Sequence, residues 1–310
     1  MQPLKSRWWE ISVLSDRTLE ESIFWQLQQF GCQGMASQIQ GSLSSPSFSS
    51  QLEINAYIPY QKISWLDLSA LSIRLKQDAT VLSKPLPTLT YKLIWDEDWS
   101  SSWKQHWHPQ PIGDRLIIYP AWIKVPPEET RQIIRIDPGS AFGTGTHTTT
   151  QMSLEALEFR MWGAEKITNF SFADIGCGSG ILAIGAMFLG AKQVYAVDTD
   201  VLAITAMHHN CELNQITPDK YWVAEGSIQK LMAQISQPVH GFTCNIQANI
   251  ILPMVPMFSQ LIRRDGWGIL SGILVDQAPK IMDALHEYGW TVATLWKREQ
   301  WSCLTIRFDN

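Results

Sequence analysis

The sequence predicts an α/β protein: a mostly parallel sheet with helices on both faces, preceded by a small α+β module. Three observations carry this. From residue 171 onward short apolar runs alternate with helix-like runs, the pattern of parallel strands joined by crossover helices. One of those runs stops at a glycine-rich turn, Asp174-Ile175-Gly176-Cys177-Gly178-Ser179-Gly180, and re-enters a helix at Ile181-Leu182-Ala183-Ile184. The residues before Trp95 follow the order β-α-β-β-α-β, that of a ferredoxin-like split βαβ module.

The N-terminal module, residues 1–94, opens with a strand from Trp8 to Val13. Thr18 and Glu21 have the spacing of a capping box. Leu19, Ile23, Leu27 and Phe30 line one helical face, and Gly31 ends that helix. Met35–Ile39 and Gln51–Ile58 read as strands across a Ser/Gly/Pro loop. A second helix carries Leu66, Ala70, Ile73 and Leu75, and Thr88–Ile94 is a last strand. The module has no cluster of paired acids, metal ligands or glycine loops, so its expected task is recognition. Residues 95–108 form a linker in which Trp95, Trp99, Trp103 and Trp107 recur every fourth position. On a helix they drift about 40° per step along one side, a stripe suited to docking the linker on a domain.

The second domain, 109–310, starts with short strands at Arg115–Tyr119 and Gln132–Ile136. The segment Asp137-Pro138-Gly139-Ser140-Ala141-Phe142-Gly143-Thr144-Gly145-Thr146-His147 follows. Three glycines in so short a stretch suit a loop that folds over a ligand. Thr148-Thr149-Thr150 is placed to cap the next helix, where a hydroxyl and free N–H groups suit a carboxylate. His147 is expected to be structural. At the far end Thr291–Trp296 and Trp301–Phe308 are close enough for a hairpin, an antiparallel edge on the sheet.

Composition excludes several classes. The net charge of −5 gives no electrostatic case for nucleic-acid binding. No stretch is long and apolar enough for a membrane helix, and the N-terminus lacks the pattern of a secretory signal. The five cysteines show neither metal-ligand nor CxxC spacing and fit buried thiols of a cytoplasmic protein.

The glycine turn narrows the chemistry. A strand that ends at such a turn and enters a helix puts backbone N–H groups and a positive helix end beside a bound molecule. Asp198 closes the next apolar run, where an acid holds ribose hydroxyls. A dinucleotide fingerprint needs Gly or Ala where Ile181 stands, which disfavours a nicotinamide oxidoreductase. Gly176, Gly178 and Gly180 instead suit the loop that wraps the amino-acid part of S-adenosylmethionine. Asn245 ends a later strand in Cys244-Asn245-Ile246-Gln247-Ala248, and its carbonyl can orient an attacking amine. Asn249 competes for that role. The Asn-Pro-Pro-aromatic signal of amide or base methylation is absent, since Ile246-Gln247 follow Asn245. A non-catalytic scaffold is the remaining rival.

Four segments occur together and in order: Asp137–Thr150, the run from Asp174, Asn245-Ile246-Gln247-Ala248 and Leu270-Ser271-Gly272-Ile273-Leu274. This resembles the ribosomal protein L-eleven methyltransferase family. The likeness covers most of the chain, including Glu299-Gln300-Trp301 near its end. It implies a class I methyltransferase, Rossmann-like fold with a seven-stranded mostly parallel sheet and an N-terminal substrate-recognition domain. It also implies an enzyme that uses S-adenosylmethionine to trimethylate lysine ε-amines and the N-terminal α-amine of that ribosomal protein; a monomer is expected because the substrate domain must reach its target. The matching cofactor positions are Thr150, Gly176, Asp198 and Asn245. The chain departs from the family pattern at Gln247, where leucine is usual, and at Asp265-Gly266, where two glycines are usual.

Overall fold

The computed structural model describes residues 7–39, 51–95, 107–137, 145–163 and 167–308. The chain divides into two compact units, residues 1–108 and 109–310.

The N-terminal unit contains β1 (Arg7–Asp16), α1 (Glu20–Gln29), β2 (Gln33–Ile39), β3 (Gln51–Pro59), α2 (Trp65–Val81) and β4 (Thr88–Trp95). Its antiparallel sheet has the order β2-β3-β1-β4, the ferredoxin-like arrangement. Alternate residues of β1 (Trp9, Ile11 and Val13) share one core with Ile54, Ile23, Leu27, Leu68 and Leu71, as period-2 side-chain alternation requires.

Three expectations fail here. Thr18 is not the N-cap that the Thr18–Glu21 spacing suggests. Asp16 takes that place, its carboxylate accepting from the Thr18 N–H at 2.9 Å and the Thr18 hydroxyl at 2.6 Å. The first turn is thereby drawn into a 3-10 helix, Arg17–Leu19, ahead of α1. The buried face of α2 is also a different one. Leu68, Leu71, Leu75 and Ala79 are buried, while Leu66 and Ile73 are 81% and 58% exposed. This segment carries apolar residues on two stripes, so periodicity alone does not select between them. The start is fixed by a Ser64–Asp67 capping box and the phase by packing on the sheet. Trp95 ends β4, so it is a strand residue and not the first of a helical stripe. Residues 96–106 of the proposed linker lie outside the described residues.

In the second unit β5 (Gln110–Ile112), β6 (Leu116–Pro120) and β7 (Gln132–Ile136) form a small sheet. Next come α3 (Thr148–Arg160), β8 (Ser171–Ile175), α4 (Ile181–Phe188), β9 (Gln193–Asp198), α5 (Val201–Leu213) and β10 (Tyr221–Glu225). Then follow α6 (Ile228–Gln234), β11 (Val239–Asn245), α7 (Ala248–Ile251), α8 (Val255–Leu261), β12 (Ile262–Leu274), α9 (Ala278–Glu287), β13 (Trp290–Arg298) and β14 (Trp301–Phe308).

The large sheet has the order β10-β9-β8-β11-β12-β14-β13. The first five are parallel, and β14 runs antiparallel between β12 and β13. This is the seven-stranded, mostly parallel sheet that the resemblance implies. Side chains on one face, such as Phe172, Val194 and Ile269, pack with α3, α4 and α5. Those on the other, such as Ala173, Val197 and Leu270, pack with α6, α8 and α9. Chain direction across the sheet reverses between β8 and β11, and the crevice outside the strand ends at such a point is where α/β sheets bind ligands. The five cysteines are free and buried. Among the described residues no helix is long and apolar enough to cross a membrane.

Candidate active site

The strand ends at the reversal point carry the residues singled out by sequence. Gly176, Gly178 and Gly180 all have positive φ, 74°, 51° and 79°. Gly176 is required there twice over: its backbone is left-handed, and a Cβ on it would run into Ile246 Cγ2. That contact also ties the glycine loop of β8 to the segment after β11, beside Asn245.

The loop's N–H groups are not bare, contrary to expectation. Gly176 N and Cys177 N donate to Val197 O at 2.8 and 3.1 Å, and Gly180 N donates to Cys177 O at 2.8 Å. Gly178 N donates to Asp198 Oδ2 at 2.8 Å, while Asp198 Oδ1 accepts from Asp200 N at 3.0 Å. Buried main-chain donors find partners, and here the next strand supplies them. The loop is therefore rigid before any ligand arrives. Asp198 both braces the loop and remains half-buried, with lone pairs left on each oxygen for further donors.

Asn245 ends β11 and lies opposite Ser271 of β12. Gly272, at φ 76°, presses on the next peptide, since a Cβ there would lie 2.5 Å from Ile246 O. Ser271 is fully buried and donates to Thr149 O at 3.4 Å, which brings the first turn of α3 to the same place. Gly145 closes the ring, because a Cβ on it would lie 3.1 Å from Ile181 Cδ1. The glycine loop, Asp198, Asn245 and Thr150 thus meet around one crevice. Asn249 is exposed on α7. Residues 138–144 of the presumptive ligand loop lie outside the described residues.

Among the described residues, Thr150 Oγ1 and Asn245 Oδ1 are buried polar atoms of this crevice without a hydrogen-bond partner. Such atoms cost free energy unless something satisfies them. A nucleoside bearing an amino-acid tail fits that demand, as it offers ribose hydroxyls, an ammonium and a carboxylate.

The three threonines are not the cap of α3. His147 is, with extended backbone and its Nδ1 accepting from Thr149 N at 3.3 Å. Burial pushes the His147 pKa down to about 4, a shift the nearby Glu299 charge only partly offsets. This neutral imidazole serves structure, as expected. Asp174, by contrast, was not singled out. It is fully buried beneath the glycine loop, with Thr243 Oγ1 donating to its Oδ1 at 2.7 Å. Burial pushes its carboxyl up to about 7, against the hydrogen bonds from Thr243 and the Ala183 N–H. Its position directly before the glycine turn was the available signal.

The two departures from the family pattern fall in different places. Gln247 stands at the N-cap position of α7, two residues after Asn245, and its side chain makes no capping hydrogen bond. Asp265 sits in the first turns of β12, paired with Arg263 at 3.1 Å, at the opposite end of that strand from Ser271.

Comparison with known proteins agrees with this geometry. The profile of the family described as ribosomal protein L11 methyltransferase (PrmA) matches residues 7–309. A ribosomal protein L11 methyltransferase of a Cyanothece species is 47% identical, over 96% of this chain and 98% of its own length. That of Thermosynechococcus vestitus is 44% identical, over 98% of each chain. The crystal structure of ribosomal protein L11 methylase from Lactobacillus delbrueckii superposes with a TM-score of 0.59 at 34% identity, covering 66% of this chain and all of that one. The chain therefore belongs to the ribosomal protein L11 methyltransferase family, enzymes that draw their methyl group from S-adenosylmethionine.

Proposed function

We propose that this enzyme methylates amine nitrogens of the large-subunit ribosomal protein for which its family is named. Lysine ε-amines and the N-terminal α-amine are its acceptors, taken to the trimethylated state. The N-terminal ferredoxin-like unit recognises that protein, the enzyme acts as a monomer, and the reaction belongs to the cytoplasm. The observation that carries the chemical reading is the buried Asn245 Oδ1 at the end of β11, which has no partner among the described residues.

In this reading Gly176, Gly178 and Gly180 shape the seat of the cofactor, Asp198 accepts from its ribose hydroxyls and Thr150 meets its amino-acid end. When bound, S-adenosylmethionine supplies an electrophilic methyl group on a sulfonium. What the protein must deliver is a neutral amine, because only that form has a free lone pair. For lysine, with pKa near ~10.4, neutrality at pH 7 costs about 4–5 kcal/mol. For an α-amine near ~8 the cost is about 1 kcal/mol. The proton leaves to water before the amine is seated. Asn245 Oδ1 then accepts one N–H and turns the lone pair toward the methyl group, so catalysis is mainly positioning. A neutral amide suits this task better than a carboxylate, whose charge would hold the proton on the amine.

Asn245→Ala is expected to lower turnover by about 100-fold, the scale of a misplaced reactant, and far more than it lowers cofactor affinity. A radiolabelled methyl assay on the ribosomal protein reads the first and calorimetry the second. Unchanged turnover removes Asn245 from the reaction.

A further inference from the structure

The turn between β13 and β14 holds a residue whose backbone does not suit it. Arg298 pairs with Trp301, which leaves Glu299 and Gln300 as a two-residue turn. Glu299 has φ 59°, and Gln300 is not among the positive-φ residues. A positive φ at the first position alone is the pattern of a turn that ordinarily begins with glycine. A glutamate there is strained, and strain of this kind persists where a side chain has a task.

That side chain reaches α3. Glu299 Oε2 accepts from the Thr148 hydroxyl at 3.1 Å, at the first residue of the helix. The neighbours of Glu299 grip the same helix. Arg298 makes a two-pronged pair with Glu155, at 3.1 and 2.7 Å. Trp301 stands edge-on to His147, the cap, with ring centres 5.2 Å apart. From behind, the Ser271 hydroxyl lies 3.4 Å from Thr149 O and 3.3 Å from Ser302 O and shares its one proton between them, joining the helix start to β14. α3 and its cap are thus held from the hairpin side by three contacts, from Arg298, Glu299 and Trp301. Thr150, whose hydroxyl has no partner among the described residues, lies in the first turn of that helix.

We propose that Glu299 is a positioning residue for cofactor binding: through Thr148 it fixes the start of α3, and so sets where the Thr150 hydroxyl meets S-adenosylmethionine. Arg298 and Trp301 complete the clamp. This rests on Thr150 being a cofactor contact. Glutamate at the turn gives up local backbone comfort for a fixed binding site, and glycine would reverse that exchange.

The test uses the full chain and four variants, read by calorimetric affinity for S-adenosylmethionine, by KM and kcat, and by thermal unfolding. Glu299→Gly is expected to weaken cofactor affinity and raise its KM about fivefold, the scale of one lost hydrogen bond. Its kcat at saturating cofactor stays near the parent's and its unfolding temperature is equal or higher. Glu299→Ala, which keeps the strained position, shows the same loss of affinity. Glu299→Gln, which keeps an acceptor oxygen, restores it. Thr150→Val reports on the underlying contact and is expected to weaken binding as well. If Thr150→Val weakens binding while both Glu299→Gly and Glu299→Ala bind like the parent, the positioning role is wrong and the Thr150 contact stands. If Thr150→Val binds like the parent, both fall together.

Discussion

His147 shows how a single side chain can be fixed by burial and a helix start at once. Its ring nitrogen caps α3, and burial holds its pKa near 4 against an ordinary 6.5. The unfolded chain therefore binds a proton more readily than the folded one between those values. Stability rises with pH across that window and is lost as pH falls from 6.5 toward 4, by about 3 kcal/mol from this group. Relative to the parent, His147→Gln is expected to gain stability by about that amount on acidification over the same range. Chemical denaturation at a series of pH values measures it, and a constant difference between the two proteins contradicts it. Asp174 acts in the opposite sense, since its folded pKa is raised and its stabilising share fades as pH climbs from 3.8 toward 7. At this scale the sequence was legible wherever spacing alone carries the chemistry. Gly176, Asp198 and Asn245 follow from their distances to strand ends. Asp174 was not, because its partner Thr243 arrives through the β8–β11 pairing, 69 residues away.

Elements were legible when one face is unambiguous. The bounds of β7 match the expected Gln132–Ile136 to the residue, as those of β14 match Trp301–Phe308, and β13 matches Thr291–Trp296 within two residues. The helix α2 was located correctly but turned the wrong way, since Leu66 and Ile73 make as good a stripe as Leu68 and Leu71. Substitution separates the two faces. Leu68→Ala, at a fully buried position, is expected to cost about 2–5 kcal/mol. Leu66→Ala, on the outer side, should stay within about 0.5 kcal/mol. Thermal unfolding of the two variants decides the assignment, and equal losses would mean that α2 packs by another face. The start of α1 misled for a different reason. Asp16 and Thr18 both have cap chemistry, and a carboxylate that accepts two hydrogen bonds from Thr18 outcompetes a hydroxyl.

At the scale of the whole molecule, every residue assigned to cofactor or amine lies in the unit 109–310, while the N-terminal unit has a core of its own. A fragment comprising residues 109–310 is therefore expected to bind S-adenosylmethionine as the full chain does and to fail in methylating the intact ribosomal protein. Equal activity on that protein would deny the N-terminal unit its recognition role. Strand order was only partly legible: alternation predicts a parallel sheet, but the place of β14 between β12 and β13 depends on long-range pairing that no local pattern encodes. That pairing has an outcome for how the protein can change over generations. Ile246 is pinched between Gly176 and Gly272, which stand 70 residues before it and 26 after it in the sequence. Positions 176 and 246 are therefore coupled in evolution: trimming 246 relieves the clash that a bulkier residue at 176 meets, while the left-handed backbone still favours glycine at 176, and 272 faces the main chain of 246 and takes no part in that exchange.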